Sequence, residues 1–416
     1  MPTRRVFLEQ MATAALVGPG LLHSILNAAT VPPRLSASMW IYLWDLVDEG
    51  YDGVLSHLRE LGLTSISLAT AYHAGKFLAP HNPQHKVVFL EDGTVMFQPN
   101  ASLYGRVFPL VHSLVASGHD LQEARREADR HGLQLRSWVV CCHNTPLGLA
   151  HPEMVARTAF GDPLYHTLCP SNSDVRQYLR SLVKDIAARG VDRIELEALQ
   201  FQGYSHGFHH EREGIALTPA TRFLLGLCFC PSCGQRAREA NLDLLPLRQF
   251  ARAALEEFFQ DPESSTAKYP SVEELPTGLV EPFLQWRVGV IRSLLEELAA
   301  GAGNVPLRQM MPIDPAAWKP AGVDPAASSH TTGGILALGY VKDGNALIQP
   351  LSKLTSLLPG SDLTVGFQVG LPESGGKAEF LDRMRVAREL GITRFNFYNY
   401  GLVPMKNLAW IAEALS

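Results

Sequence analysis

Two groups of residues in this 416-residue chain have the types and spacing to do chemistry. The first is the pair Glu195 and Glu197 in the run Asp192–Ala198 (DRIELEA). Strand side chains alternate with a period of two, so both carboxyl groups point to one side, while Ile194, Leu196 and Ala198 suit the opposite, packed side. Two glutamates aimed into a protein interior are costly unless hydrogen-bonded, paired or functional. Glu197, nearer the strand end, is the candidate proton donor. Glu195, one layer deeper, can tune its neighbour's pKa, hold a substrate hydroxyl or form a salt link with Arg193 or Arg136. The second group is Cys228-Phe229-Cys230-Pro231-Ser232-Cys233. Three thiolates this close can chelate one tetrahedral zinc with a fourth ligand from elsewhere. Cys169 is the first candidate, with His206, His209 and His210 as alternatives, and a local disulfide or free buried thiols would also account for the cysteines. Four protein ligands would leave no open position, so a zinc here would be structural.

The elements that must position these groups alternate regularly. Strand-like runs at Ser38–Leu43, Thr64–Thr70, Leu133–Cys141, Asp192–Ala198, Val305–Met311, Gly334–Val341, Leu363–Val369 and Ile392–Tyr398 are almost all followed by helical patterns. The helices read at Tyr51–Gly62, Leu121–His131, Asp174–Arg189, Leu245–Phe259, Leu279–Ala300, Ala346–Leu358, Lys377–Leu390 and Met405–Leu415. Repeated strand-then-helix order argues for parallel strands with right-handed crossovers, and eight such units predict a closed (β/α)8 TIM barrel with long insertions after strands 2 and 4. A doubly wound open sheet is the competitor, but no Gly-x-Gly-x-x-Gly turn opens a helix after the first strand, and no organic cofactor is expected.

A barrel gathers its functional groups at the C-terminal ends of its strands. That rule selects Trp44 and Asp45 after strand 1, Tyr72 and His73 after strand 2, and His143 and Asn144 after strand 3. It adds Asp314 beyond strand 5, Tyr340 and Lys342 at strand 6, Gln368 and Glu373 at strand 7, and Asn396, Tyr398 and Asn399 at strand 8. With Trp40, Tyr204, Phe208 and Tyr400 nearby, aromatic faces and amide groups could stack on and bind a sugar, although Trp40 is better explained as core.

The run Cys169-Pro170-Ser171-Asn172 before a helix, a strand ending in Glu197, and then Cys-x-Cys-x-x-Cys opening another helix resemble glycoside hydrolase family 42 and related clan A barrels. The resemblance spans mainly residues 165–240. It implies an acid/base role for Glu197 and zinc ligation by Cys169, Cys228, Cys230 and Cys233. Two departures stand out. The family places Asn directly before its acid/base, where this chain has Leu196. It also carries a nucleophilic glutamate at the end of strand 7, where this chain reads Gln368. Asp45, Asp314 and Glu373 are the candidates for the second carboxylate, and retaining and inverting outcomes both stay open.

Composition narrows the rest. The chain is 46% hydrophobic and 19% charged, with a net charge of −5, which fits a globular protein and disfavours a nucleic-acid partner. Residues 1–30 carry Arg4-Arg5 before Val6-Phe7-Leu8, then a short apolar stretch and small residues, as in a twin-arginine export signal. This predicts a periplasmic or secreted product, with residues 31–416 forming one catalytic domain and no membrane span in the mature chain. The expected activity is hydrolysis of a glycosidic bond in a carbohydrate substrate by carboxylate acid/base chemistry. The competing expectations are a metal-dependent sugar isomerase or lyase using His73, His143 and Glu197, and a noncatalytic carbohydrate-binding barrel favoured by Gln368. Oligomeric state has no signal.

Overall fold

Strands with apolar residues on one side and polar residues on the other can bury both sides only if the polar sides face each other. The chain solves this by closing a sheet. The computed structural model describes residues 35–204, 211–360 and 362–416. Eight parallel strands, β1 Ser36–Ile41, β2 Ser65–Tyr72, β3 Gln134–Val140, β4 Arg193–Glu197, β5 Leu307–Pro312, β6 Gly334–Leu338, β7 Asp362–Gln368 and β8 Arg394–Tyr398, pair in chain order. Pairing of Ser36–Met39 with Arg394–Phe397 and of Ser38–Ile41 with Ser65–Leu68 closes the ring. The fold is a (β/α)8 barrel, and Ser36–Ser416 cluster as one compact unit.

The helices that follow the strands are α1 Tyr51–Glu60, α2 Leu121–Arg130, α3 Ser173–Ala187, α4 Thr277–Ala302, α5 Pro325–Thr332, α6 Asn345–Leu357, α7 Lys377–Glu389 and α8 Met405–Leu415. Three of them start on side-chain caps, with Asp120, Asn172 and Asp324 accepting from backbone N–H groups of the first turn. Ile66, Leu68, Ile194, Leu196, Ile335, Val365, Phe367, Phe395 and Phe397 all lie buried on the strand faces that pack against this helical layer.

The lumen is polar. Contacts between strands that are not neighbours in the sheet identify its lining: Glu195 on β4 meets Trp40 on β1, Ser67 on β2 and Asn396 on β8. Gly366 on β7 makes room for this arrangement, because a Cβ there would sit 2.7 Å from Cη2 of Trp40. On β2 an extra residue, Thr70, lies between Ala69 and Ala71, which oppose the consecutive residues Trp138 and Val139 of β3. Such a bulge absorbs the extra residue, and Tyr72 turns into the lumen against Trp138.

Several boundaries differ from the sequence reading. Strand β1 stops at Ile41 because Leu43–Glu49 is already helical, with Asp45 at its third position reaching back to the N–H of Tyr42 at 3.0 Å. Helix α5 went unread because PAASSHTT has no apolar period. Between β2 and α2 lies a hairpin of Gly75–Leu78 and Val87–Leu90. The β3–α3 connection holds the helix Thr145–Ala150 and a hairpin of Val155–Arg157 with Pro163–Leu168. After β4 come the helices Pro219–Leu225, Pro231–Glu239 and Leu245–Gln260. The export reading at residues 1–30 lies outside the described residues.

Candidate active site

Glu197 ends β4 at the C-terminal mouth of the barrel, and the chain breaks sharply there: Ala198 has φ 55°, a left-handed conformation unusual for a residue with a Cβ. The O of Ala198 is held by the N–H of Cys142 and the side-chain amide of Gln202. The carboxyl of Glu197 is half-buried and, among the described residues, takes one hydrogen bond, from Nε1 of Trp138 to Oε2 at 2.5 Å. Burial pushes its pKa up to about 7, and the indole bond pulls it partly back. The group is therefore poised between acid and base near neutral pH.

An aromatic wall surrounds it. Trp138 stands edge-on to Tyr72 and Tyr398 at centroid separations of 4.6 and 6.0 Å, and Tyr340 lies 6.0 Å from Tyr398. Tyr42 stacks on Trp44 at 4.3 Å, and Phe77 from the hairpin after β2 tilts against both. The hydroxyls of Tyr42 and Tyr398 meet at 3.4 Å. Burial raises the pKa of Tyr42, Tyr72, Tyr340 and Tyr398, so all four phenols are neutral donors and acceptors at pH 7. His73 stacks between Tyr72 and His143, each 4.4 Å away, and burial lowers its pKa.

Just beyond β7, Glu373 is exposed and accepts from Nε2 of Gln368 at 3.1 Å. The phenol of Tyr398 lies within electrostatic reach of both Glu197 and Glu373. The structure thus brings together Glu197, Tyr72, His73, His143, Tyr340, Gln368, Glu373 and Tyr398, with Trp44 one ring further out. Asn144, in contrast, caps Thr145–Ala150 through the N–H of Leu147, and its amide reaches the O of Gly93.

Four sequence candidates are closed off from the mouth and support its floor instead. Asp45, Glu195, Asn396 and Asn399 expose no surface. Glu195 accepts from Trp40 at 3.1 Å, Ser67 at 2.6 Å and Asn396 at 3.0 Å, with Arg136 at 3.6 Å; the salt link with Arg136 is therefore made. Asp45 is spent on the N–H of Tyr42, and burial lifts its pKa to about 8. Asn399 accepts from the N–H of Gly401. Asp314 caps the turn Pro315–Ala317, and Lys342 is exposed beyond β6. His206, Phe208, His209 and His210 lie outside the described residues.

Tyr42, Phe77 and Trp138 were missed. Trp138 carried a readable signal, since it alternates with Arg136 on β3 as Glu197 does with Glu195 on β4, and an inward indole needs an acceptor. Phe77 had none, because its hairpin read as loop.

The cysteine constellation is assembled as expected in outline. Cys169, Cys228, Cys230 and Cys233 are buried, and their Sγ atoms all lie within 4.8 Å of one another. From Cys169 Sγ the other three stand at 3.8, 3.5 and 3.5 Å, too far for a disulfide. Four sulfurs about 2.3 Å from one tetrahedral zinc would be about 3.8 Å apart, so the donor set fits that ion. Ala156, Phe201, Val290 and Ile291 pack around the cluster, which ties the loop after β3 and the segment after β4 to α4. The buried Arg287 guanidinium lies within electrostatic reach of Cys169, Cys228 and Cys233, where it would offset thiolate charge. Among the described residues this is the one convergent group of metal-ligating side chains; His73, His143 and Glu197 do not form another.

No protein-family model matches the chain, and no curated protein matches it in sequence. Solved structures do share its architecture. A β-galactosidase from the psychrophilic Marinomonas ef1 superposes with a TM-score of 0.53 at 10% identity, over 92% of this chain and 59% of that one. An α-L-fucosidase isoenzyme 2 from Paenibacillus thiaminolyticus gives 0.49 at 12%, over 92% and 49%, and a chitinase from Chromobacterium violaceum gives 0.45 at 8%, over 92% and 99%. This chain spans less than two thirds of the length of the first two. At these identities the likeness is one of fold: the chain is a parallel eight-stranded barrel of the architecture found in glycoside hydrolases.

Proposed function

We propose that the protein hydrolyses a glycosidic bond, with Glu197 as the proton donor. The observation that carries this reading is a carboxyl with a pKa near 7, held by a single indole at the C-terminal mouth and walled by tyrosine and tryptophan rings. A sugar ring presents an apolar face to such a wall and hydroxyls to neutral phenols. Glu197 gives its proton to the bridging oxygen as the bond to the anomeric carbon breaks, and a second carboxylate either bonds to that carbon until water displaces it or takes a proton from a water that attacks it directly, so that one water is consumed per bond cleaved. Glu373 is the residue assigned to that second role, since Asp45 is enclosed and Asp314 is engaged in capping the turn Pro315–Ala317. Tyr72, Tyr340, Tyr398, Gln368, His73 and His143 would bind the sugar.

The resemblance to family 42 supports a structural zinc on Cys169, Cys228, Cys230 and Cys233, and the spacing of the sulfurs agrees with it. Export in folded form through the twin-arginine route would let the cysteines load metal before reaching an oxidising compartment.

The test is Glu197→Gln, assayed against a panel of aryl glycosides and oligosaccharides. Turnover should fall by about 10²–10⁴-fold with the fold retained. An unchanged rate would overturn the assignment. Saturable oligosaccharide binding with no product from the wild type would instead favour a noncatalytic barrel, the reading that the uncharged Gln368 at the end of β7 supports. Metal analysis should return one zinc per chain, lost in Cys233→Ser.

A further inference from the structure

The opposite pole of the barrel, where the strands begin, concentrates arginines. Arg136 on β3, Arg193 on β4, Arg308 on β5 and Arg394 on β8 stand against two carboxylates, Asp362 and Glu195. Asp362 is shared three ways: Arg193 and Arg308 meet the same Oδ2 at 3.0 and 2.8 Å, and Arg394 meets Oδ1 at 3.2 Å. Burial pushes the Asp362 pKa up, but the facing guanidinium charges more than offset this and hold it below the usual range. Glu195 is already bonded to Trp40, Ser67 and Asn396. Four positive charges therefore face two negative ones.

Two of the four guanidiniums are left short of acceptors. Arg136 is 3% exposed and its guanidinium forms no hydrogen bond among the described residues; its nearest acidic oxygen, Glu195 Oε1, lies at 3.6 Å. Arg308, 5% exposed, directs Nη atoms to Leu307 O, Thr332 O and Asp362, but its buried Nε has no acceptor among the described residues. Burial draws the Arg136 pKa down to about 10, so the group stays charged at neutral pH and still requires compensation. A guanidinium fork is the side chain best matched to the oxygens of a tetrahedral or planar anion. The rim meets solvent at Arg394, whose side chain is 45% exposed.

We propose that this N-terminal pole is a binding site for a small oxyanion of the phosphate or sulfate type, held by Arg136 with Arg193, Arg308 and Arg394. The anion would neutralise the excess charge at the base of the lumen and cross-link the starts of β3, β4, β5 and β8. Since this end of a barrel serves stability rather than turnover, the ligand acts on folding, independently of whether Glu197 cleaves sugars.

The experiment titrates inorganic phosphate, and separately sulfate, into the full chain at constant ionic strength set with chloride, following heat of binding and Tm. Saturable binding with a rising Tm is expected. Arg136→Met should weaken it by at least about tenfold, and the rim variant Arg394→Gln by several-fold with the fold unchanged by circular dichroism. Should Arg136→Met fail to fold, Arg394→Gln alone decides. Absence of saturable binding of either anion, or unaltered affinity in Arg394→Gln, overturns the proposal.

Discussion

Two glutamates, two residues apart on β4, live in opposite surroundings. The layer around Glu195 is closed, with donors from β1, β2 and β8 on its oxygens and a guanidinium from β3 beside them. The layer around Glu197 is open on one side and offers a single indole donor. The same residue type is thus a cross-brace at one level and a proton store at the next. What separates them is the number of donors on each carboxyl and its access to the mouth. A buried charge with every lone pair engaged holds strands together, whereas one left partly unsatisfied gives up its proton at a useful pH.

The largest effect expected from breaking this contrast is Glu195→Leu. It strands Arg136 and leaves Trp40, Ser67 and Asn396 without their acceptor, costing about 3–5 kcal/mol in denaturant unfolding. A change under about 1 kcal/mol would mean that the lumen repacks without its charge.

Asp45 provides the next test, because it is enclosed like Glu195 but kept neutral. The unfolded chain ionises it near pH 4, while the folded protein holds its proton to about pH 8, so the native state binds more protons and loses stability as pH rises between those values. Asp45→Asn should flatten that decline, gaining up to about 5 kcal/mol over wild type at pH 8 and nothing at pH 4 in urea titrations. A parallel pH dependence in the two proteins would show that Asp45 ionises normally.

Glu197 follows the same sign on a smaller scale, since it is half-buried and raised only to about 7. Glu197→Gln should be more stable than wild type by about 1–2 kcal/mol at pH 8, with the difference vanishing below pH 4, as an acid held for chemistry at the expense of stability would be. Equal stability at both pH values would argue against a perturbed acid. Smallest is Trp138→Phe. Loss of the indole bond to the carboxylate should move the alkaline limb of kcat/KM upward by about one pH unit, equivalent to about 1.4 kcal/mol. An unmoved limb would mean that the indole does not tune Glu197.

The closed barrel was legible because apolar strands recurred with helices between them, and the Glu195–Glu197 pair because a period of two survives any strand packing. Local spacing made Cys228, Cys230 and Cys233 legible as a cluster, whereas the fourth member, Cys169, lies some sixty residues earlier and stood among histidine alternatives until the family resemblance pointed to it. The mouth was less so, because its walls depend on contacts between distant residues. Phe77 sits in a hairpin whose outer face leaves Leu78, Val87 and Phe89 exposed, so no alternation of polar and apolar residues marked it. Asp45 has the position of an N3 cap, which could have been read from the helix start at Leu43, but strand and helix follow each other so closely there that the run read as strand. Glu195 and Asn396 have polar side chains that would suit either a substrate or each other, and only the lumen's geometry separates those uses.

The added residue in β2 has a consequence for how the mouth can change. The bulge absorbs Thr70, so Ala71 still faces Val139 and Tyr72 comes next on the side of Trp138, as it would in a ladder without the extra residue. Deleting Thr70 would therefore leave the ladder paired and the Tyr72 ring in the lumen, whereas a residue added where no bulge absorbs it would turn every later side chain of the strand to the other face. Length variation outside the bulge gives this scaffold a route to remodel its binding wall without substituting any residue.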